Sequence, residues 1–208
     1  MLSPEQFLGF LGAAVLLTLA PGPDNLMVLA LGASRGRTRG TAFGLGCALG
    51  CLSHTLLAAV GVSAVIAASP MAFTVLKVLG GLYLLRLGWQ ALRSGGSIRP
   101  SQPADATESP LGMFVRGLVA NAINPKVVMF FLAFLPQFVV ASRGDTAWQI
   151  AQLGLVFTAQ AAVLFGTLGY FAGAIGQWLT RHERAGLWLD RVAGTVLIAL
   201  GLKLLVSK

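Results

Sequence analysis

The sequence predicts an all-α membrane protein of six transmembrane helices, built as two inverted three-helix repeats. Three observations carry that reading: 56% of the 208 residues are hydrophobic and only 11% charged, the apolar residues fall in long blocks, and the basic residues collect in alternate connections. An ordinary soluble domain carries roughly 25% charged residues. With a mean hydropathy of +0.79, so short a chain cannot bury all its apolar side chains in one water-surrounded core. Lipid is therefore part of its solvent.

Six segments, 5–33, 41–67, 71–92, 112–140, 147–175 and 187–206, each supply the ~20 residues needed to cross a hydrocarbon core of ~30 Å. Backbone polar groups find no water in lipid, so each segment is expected to be helical. Ser3-Pro4 with Gln6 forms a capping-box signature that starts the first helix. Met1–Glu5 lacks the cationic start of a signal peptide and the apolar stretch outruns signal length, so the N-terminus is expected to be retained.

Ala20-Pro21-Gly22-Pro23-Asp24-Asn25 interrupts the first segment. Two prolines remove backbone donors and clash with the preceding turn, so the helix should break there and resume with Pro23 as its first residue. The free N–H groups of the resumed helix would then face the membrane interior. In the second segment Gly44, Gly46 and Gly50 allow close approach of another helix, and His54 follows. Cys47 and Cys51, four residues apart, share one helix face and form no CxxC or disulfide framework. The third segment carries Arg86, which has no evident role.

Residues 94–110 contain three prolines and no apolar period, so they read as a flexible cytoplasmic linker between a first repeat, 1–93, and a second, 111–208. In the fourth segment Asn124-Pro125 repeats the proline device, with Asn124 as a natural N-cap and Pro125 opening the helix. Asn121 stands just before it and Lys126 just after. Gln160 is a further polar group at membrane depth in the fifth segment.

Arg35, Arg37 and Arg39 follow the first segment, Arg86, Arg93, Arg99 and Arg116 flank the third connection, and Arg181, Arg184 and Arg191 flank the fifth, so ten of fifteen basic residues fall on one side. The positive-inside rule makes that side cytoplasmic and both termini external. A three-span unit reverses orientation when repeated. An offset of 102 sets Pro23 on Pro125, Asp24 on Lys126 and Met27 on Met129, and a weaker offset of 114 sets Lys77-Val-Leu-Gly80 on Arg191-Val-Ala-Gly194.

In an inverted pair the two resumed helices leave the midplane in opposite directions, and such helix ends hold anionic substrate groups in several transporter folds. The expected substrate-binding set is Pro21, Gly22, Pro23, Asp24, Asn25, Asn121, Asn124, Pro125 and Lys126. Asp24 would meet the α-ammonium of a zwitterion or carry a coupling proton, while Lys126 would meet the carboxylate. A permanent Asp24–Lys126 ion pair between two capped kinks stays open. His54 is a second proton-coupling candidate and equally suits an interhelical hydrogen bond.

The net charge of +8 does not point to nucleic acid, because the basic residues lie between apolar runs and no nucleic-acid-binding module is visible. The only histidines are His54 and His182, and no HExxH, GxSxG or Walker-type sequence occurs. No enzyme activity, catalytic residue, metal or cofactor is therefore expected, and an ATP-driven machine is excluded within the chain. A divalent-cation or other small-metabolite exporter is the nearer rival reading, though Asp24 and His54 are the only clear ligand candidates. A membrane thiol–disulfide electron carrier is more remote, since the second half has no cysteine.

PGPDNLMVLALG at 21–32, GTAFGLGCALGCLSH at 40–54, LKVLGGLYLLRLGW at 76–89 and NPKVVMFFLAFLPQFV at 124–139 occur in the same order as in the LysE/RhtB family of bacterial amino-acid exporters, which the chain resembles over nearly its whole length. The resemblance implies export of amino acids or close derivatives through the inner membrane, driven by the proton gradient. It places the family's PGP on Pro21, Gly22 and Pro23, followed by Asp24, where relatives carry Asp or Asn, and its NPK on Asn124, Pro125 and Lys126. The implied partners are an amino-acid substrate, protons and the lipid bilayer, with self-association into a homo-oligomer left open.

Overall fold

The computed structural model describes residues 2–64, 69–94 and 108–206, and every regular element among them is helical. Eight helices follow in order: α1 (Pro4–Leu19), α2 (Pro23–Arg35), α3 (Arg37–Leu57), α4 (Pro70–Arg93), α5 (Pro110–Ala122), α6 (Pro125–Met129), α7 (Thr146–Arg181) and α8 (Glu183–Val206). A π-helical turn, Ala58–Val62, continues α3. Another, Phe130–Phe134, and a 3₁₀ turn, Leu135–Phe138, continue α6.

The predicted capping box is present: Ser3 Oγ accepts from the Gln6 N–H at 3.2 Å and Gln6 Oε1 from the Ser3 N–H at 3.0 Å. Both prolines-at-N1 breaks form where the sequence places them. α1 and α2 meet at a bend of 56°, and α5 meets the helix resumed at Pro125 at 49°. The expected linker is outside the described residues from 95 to 107, and α5 starts at Pro110 on a Ser109 cap, whose Oγ accepts from the Gly112 N–H.

Three continuous stretches, Arg37–Val62, Met71–Arg93 and Thr146–Leu179, are long and apolar enough to cross a membrane, and the two bent pairs bring the number to five. α8, the sixth predicted segment, is a 24-residue helix carrying Asp190, Arg191 and Lys203 and is not among those five. α7 outruns its predicted 147–175: its 36 residues span about 54 Å, well beyond a ~30 Å hydrocarbon core.

α3 lies between α5 and α7, α4 pairs with α8, and α2 packs on α7 and α3. Glycine makes these approaches possible. A Cβ on Gly46 or Gly117 would strike the backbone of the facing helix, at Phe114 and Phe43 respectively. Along α4 and α8, a Cβ on Gly194 would stand 2.7 Å from the Gly88 carbonyl and one on Gly201 2.9 Å from that of Gly81. Small residues of this kind let apolar helices gain contact where lipid removes the hydrophobic drive between them. Outward-facing Leu56, Val60, Met71 and Val163 are each more than three-fifths exposed, an apolar surface that suits lipid rather than water.

Candidate functional site

The two helix breaks face each other across the interior, and their polar groups converge. At the first, α1 ends and its last carbonyls lose their helical partners. Lys126 Nζ donates to the Ala20 carbonyl at 2.8 Å and to that of Leu17 at 3.3 Å, while Asn25 Nδ2 donates to the Thr18 carbonyl at 2.8 Å. A Cβ at Gly22 would stand 2.8 Å from Lys126 Nζ, so a side chain there would push the end of the lysine off the α1 carbonyls. At the second break Asn124 caps its own helix, its Oδ1 accepting from the Lys126 N–H at 3.0 Å.

Asn121 joins the two halves. Its Nδ2 donates to Asp24 Oδ2 at 2.7 Å, its Oδ1 accepts from the Cys51 thiol at 3.4 Å, and its carbonyl lies 3.0 Å from His54 Nε2. All four side chains are buried, and His54 also lies against the Phe131 ring. The structure thus brings Asp24, Asn25, Asn121, Asn124, Lys126 and His54 into one polar centre, on the elbows made by Pro21–Gly22–Pro23 and Pro125. Asp24 and Lys126 line the same cavity but make no direct ion pair: of the two arrangements the sequence leaves open, the permanent pair is not formed, and each charge takes its hydrogen bonds from the opposite helix break. A lysine reaching exposed carbonyls and an aspartate reaching an amide are both satisfied without the contact.

The cavity around Asp24, Asn121 and Lys126 has a volume of ≈ 10 Å³ and is walled by Leu17, Thr18, Val127, Phe157 and Phe165. That is about one water. A larger crevice of ≈ 360 Å³ adjoins it, sharing Thr18 and Phe165, and runs between α2, the second half of α7 and the start of α8. These segments lead from the break toward the end of the molecule that carries Arg35 and Arg181. At the opposite end Phe10, Phe130, Phe134 and Phe138 pack ring to ring.

Several residues of the site are absent from the sequence-derived set. Thr18 receives Asn25 at its carbonyl and Gln160 at its hydroxyl, both at 2.8 Å, leaving Asn25 Oδ1 and Gln160 Oε1 as buried acceptors without a hydrogen bond. The signal for Thr18 was a lone hydroxyl three residues before Pro21. Cys51 carries no signal of its own, since a thiol in an apolar run reads as packing. Gln6 does more than cap: its Nε2 donates to the Phe138 carbonyl at 2.8 Å and to Gln149 Oε1 at 3.2 Å, tying α1 to the start of α7. Arg86 lies exposed on α4. Among the described residues no group of three or more His, Cys, Asp or Glu side chains is placed to share a metal ion.

Residues 10–208 match the LysE type translocator family. Among curated relatives, a threonine efflux protein of Escherichia coli (strain K12) is 29% identical over 199 residues, covering 93% of this chain and 94% of the relative. A leucine efflux protein of Enterobacter sp. (strain 638) is 34% identical over 141 residues, covering 68% and 67%. An uncharacterized membrane protein of Pseudomonas aeruginosa is 30% identical over 205 residues, covering 96% and 94%. No solved structure matches the chain.

Proposed function

The chain belongs to the LysE type translocator family, and from that premise we propose that it exports amino acids or close derivatives across the inner membrane, by proton antiport and alternating access. The observation that carries this reading is the buried Asp24–Asn121–Lys126 centre held between two opposed helix breaks. Intramembrane charges are costly and mark substrate or ion pathways. An amino-acid zwitterion supplies an ammonium for Asp24 and the free acceptors of Asn25 and Gln160, and a carboxylate for Lys126. Asp24 and His54 are the coupling candidates, joined through Asn121.

The architecture we propose is six spans, with α8 as the sixth, in two inverted repeats, 1–93 and 111–208, and both termini outside. α4 and α8 support that assignment by packing along matched glycines at Gly81–Gly201 and Gly88–Gly194. In this orientation the ≈ 360 Å³ crevice leads from the cytoplasmic end, and the phenylalanine cluster seals the external end. Substrate enters the crevice, and Thr18 and Phe165 must part before it reaches the ≈ 10 Å³ centre.

The test is efflux from cells expressing the chain and loaded with dipeptides, so that internal amino acids rise. Accelerated, uncoupler-sensitive release of one or a few amino acids is expected. Release no faster than from empty-vector cells, with membrane insertion confirmed, would remove the amino-acid assignment.

A further inference from the structure

A second buried charge, unrelated to the polar centre, sits where α2 ends and α3 and α5 begin. The Arg35 side chain is only 6% exposed, yet its two terminal nitrogens make no hydrogen bond. Glu108 Oε2 lies 3.9 Å from Arg35 Nη1, beyond hydrogen-bond reach, and 3.3 Å from Arg116 Nη1. Arg39 joins the cluster: its Nε donates to the Glu108 carbonyl at 2.9 Å and its Nη1 to the Arg35 carbonyl at 3.4 Å. Neighbouring Arg37 is turned away, donating to the Tyr170 hydroxyl at 3.0 Å.

Two guanidinium groups, of Arg35 and Arg116, thus share one carboxylate that is committed to Arg116, while Arg39 is held on the Glu108 backbone carbonyl. A buried guanidinium with unused donors asks for an acceptor carrying several lone pairs in a plane, the geometry of an oxyanion. α3 adds its own first N–H groups, because its cap, Gly36, has no side chain to satisfy them. We propose that Arg35, Arg39 and Arg116 form a phosphate-binding site, and that its ligand is the headgroup phosphate of an anionic phospholipid. The position favours the lipid over free phosphate. Two apolar segments end and begin here, at the level where a bilayer presents headgroups, and basic pockets between spans are where such headgroups dock.

The experiment follows the thermal unfolding midpoint of the purified full chain in detergent, with short-chain phosphatidylglycerol, short-chain phosphatidylcholine or inorganic phosphate added. Ligand that binds the folded chain raises the midpoint. Phosphatidylglycerol should raise it and phosphatidylcholine should not. Arg35→Gln and Arg116→Gln should each require roughly tenfold more phosphatidylglycerol for the same rise, while exposed Arg181→Gln should need no more than the native chain. Arg116 is partly exposed, so its variant decides the matter if Arg35→Gln does not fold. Equal effects of both lipids, or an undiminished response in the Arg116 variant, would overturn the site. The same rise with inorganic phosphate at equal concentration would overturn the lipid assignment.

Discussion

The two helix breaks are related in sequence yet solve the same physical problem differently. The second supplies its own cap: Asn124 caps α6 through the Lys126 N–H, and the Asn124 N–H itself bonds the Asn121 carbonyl at 2.9 Å, with Asn124 Nδ2 left buried without a hydrogen bond. The first has glycine at the cap of α2, with no side-chain cap, and on the α1 side its own Asn25 reaches only the Thr18 carbonyl. Its carbonyls at Leu17 and Ala20 are satisfied only from outside, by the lysine of the other break. An elbow that borrows its partners can exchange them, and a substrate carboxylate competing for Lys126 would release those carbonyls. Under the proposed transport reading, the asymmetry puts the movement at the first break.

The comparison is broken most severely by Lys126→Ala, which strands two buried carbonyls and leaves Asp24 without its countercharge in the cavity. The expected cost is about 3 kcal/mol, read from denaturant unfolding in detergent. Gly22→Val should cost less, about 2 kcal/mol, because the added branch displaces Lys126 Nζ without removing it. The same measurement on Gly12→Ala, where a Cβ meets nothing within 4 Å, should show no loss.

Asn124→Ala sharpens the contrast, since it removes only a local cap. Stability should fall by about 1 kcal/mol, with the lysine still on the α1 carbonyls. A loss as large as that from Lys126→Ala would mean that the second break is no more independent than the first. Smallest is Cys51→Ala, which deletes one weak thiol hydrogen bond to Asn121 and should cost about 0.5 kcal/mol.

Both breaks were legible in the sequence, because proline acts on its own helix and the consequence is local. So were the Ser3–Gln6 box, the Asn124 cap and the glycine faces, all set by spacing within one element. The partners of Asp24 and Lys126 were not. Helical period says which face a residue occupies, and pairing between faces depends on how far each helix slides and turns in the bundle. Asn121 could be singled out as polar, but its junction of Asp24, Cys51 and His54 is a product of packing near Gly50, where a Cβ would lie 2.9 Å from that of Asn121. The π-helical turns after α3 and α6 left no sequence mark either.

The claim that substrate meets its countercharges between the two breaks is tested most directly by Asp24→Asn and Lys126→Gln, which keep polar groups in place and delete charge. Each is assayed for efflux from dipeptide-loaded cells at matched amounts of inserted protein, beside Gly12→Ala. The account predicts that both charge variants insert and lose efflux while Gly12→Ala retains it. Efflux at the native rate from both charge variants would contradict it.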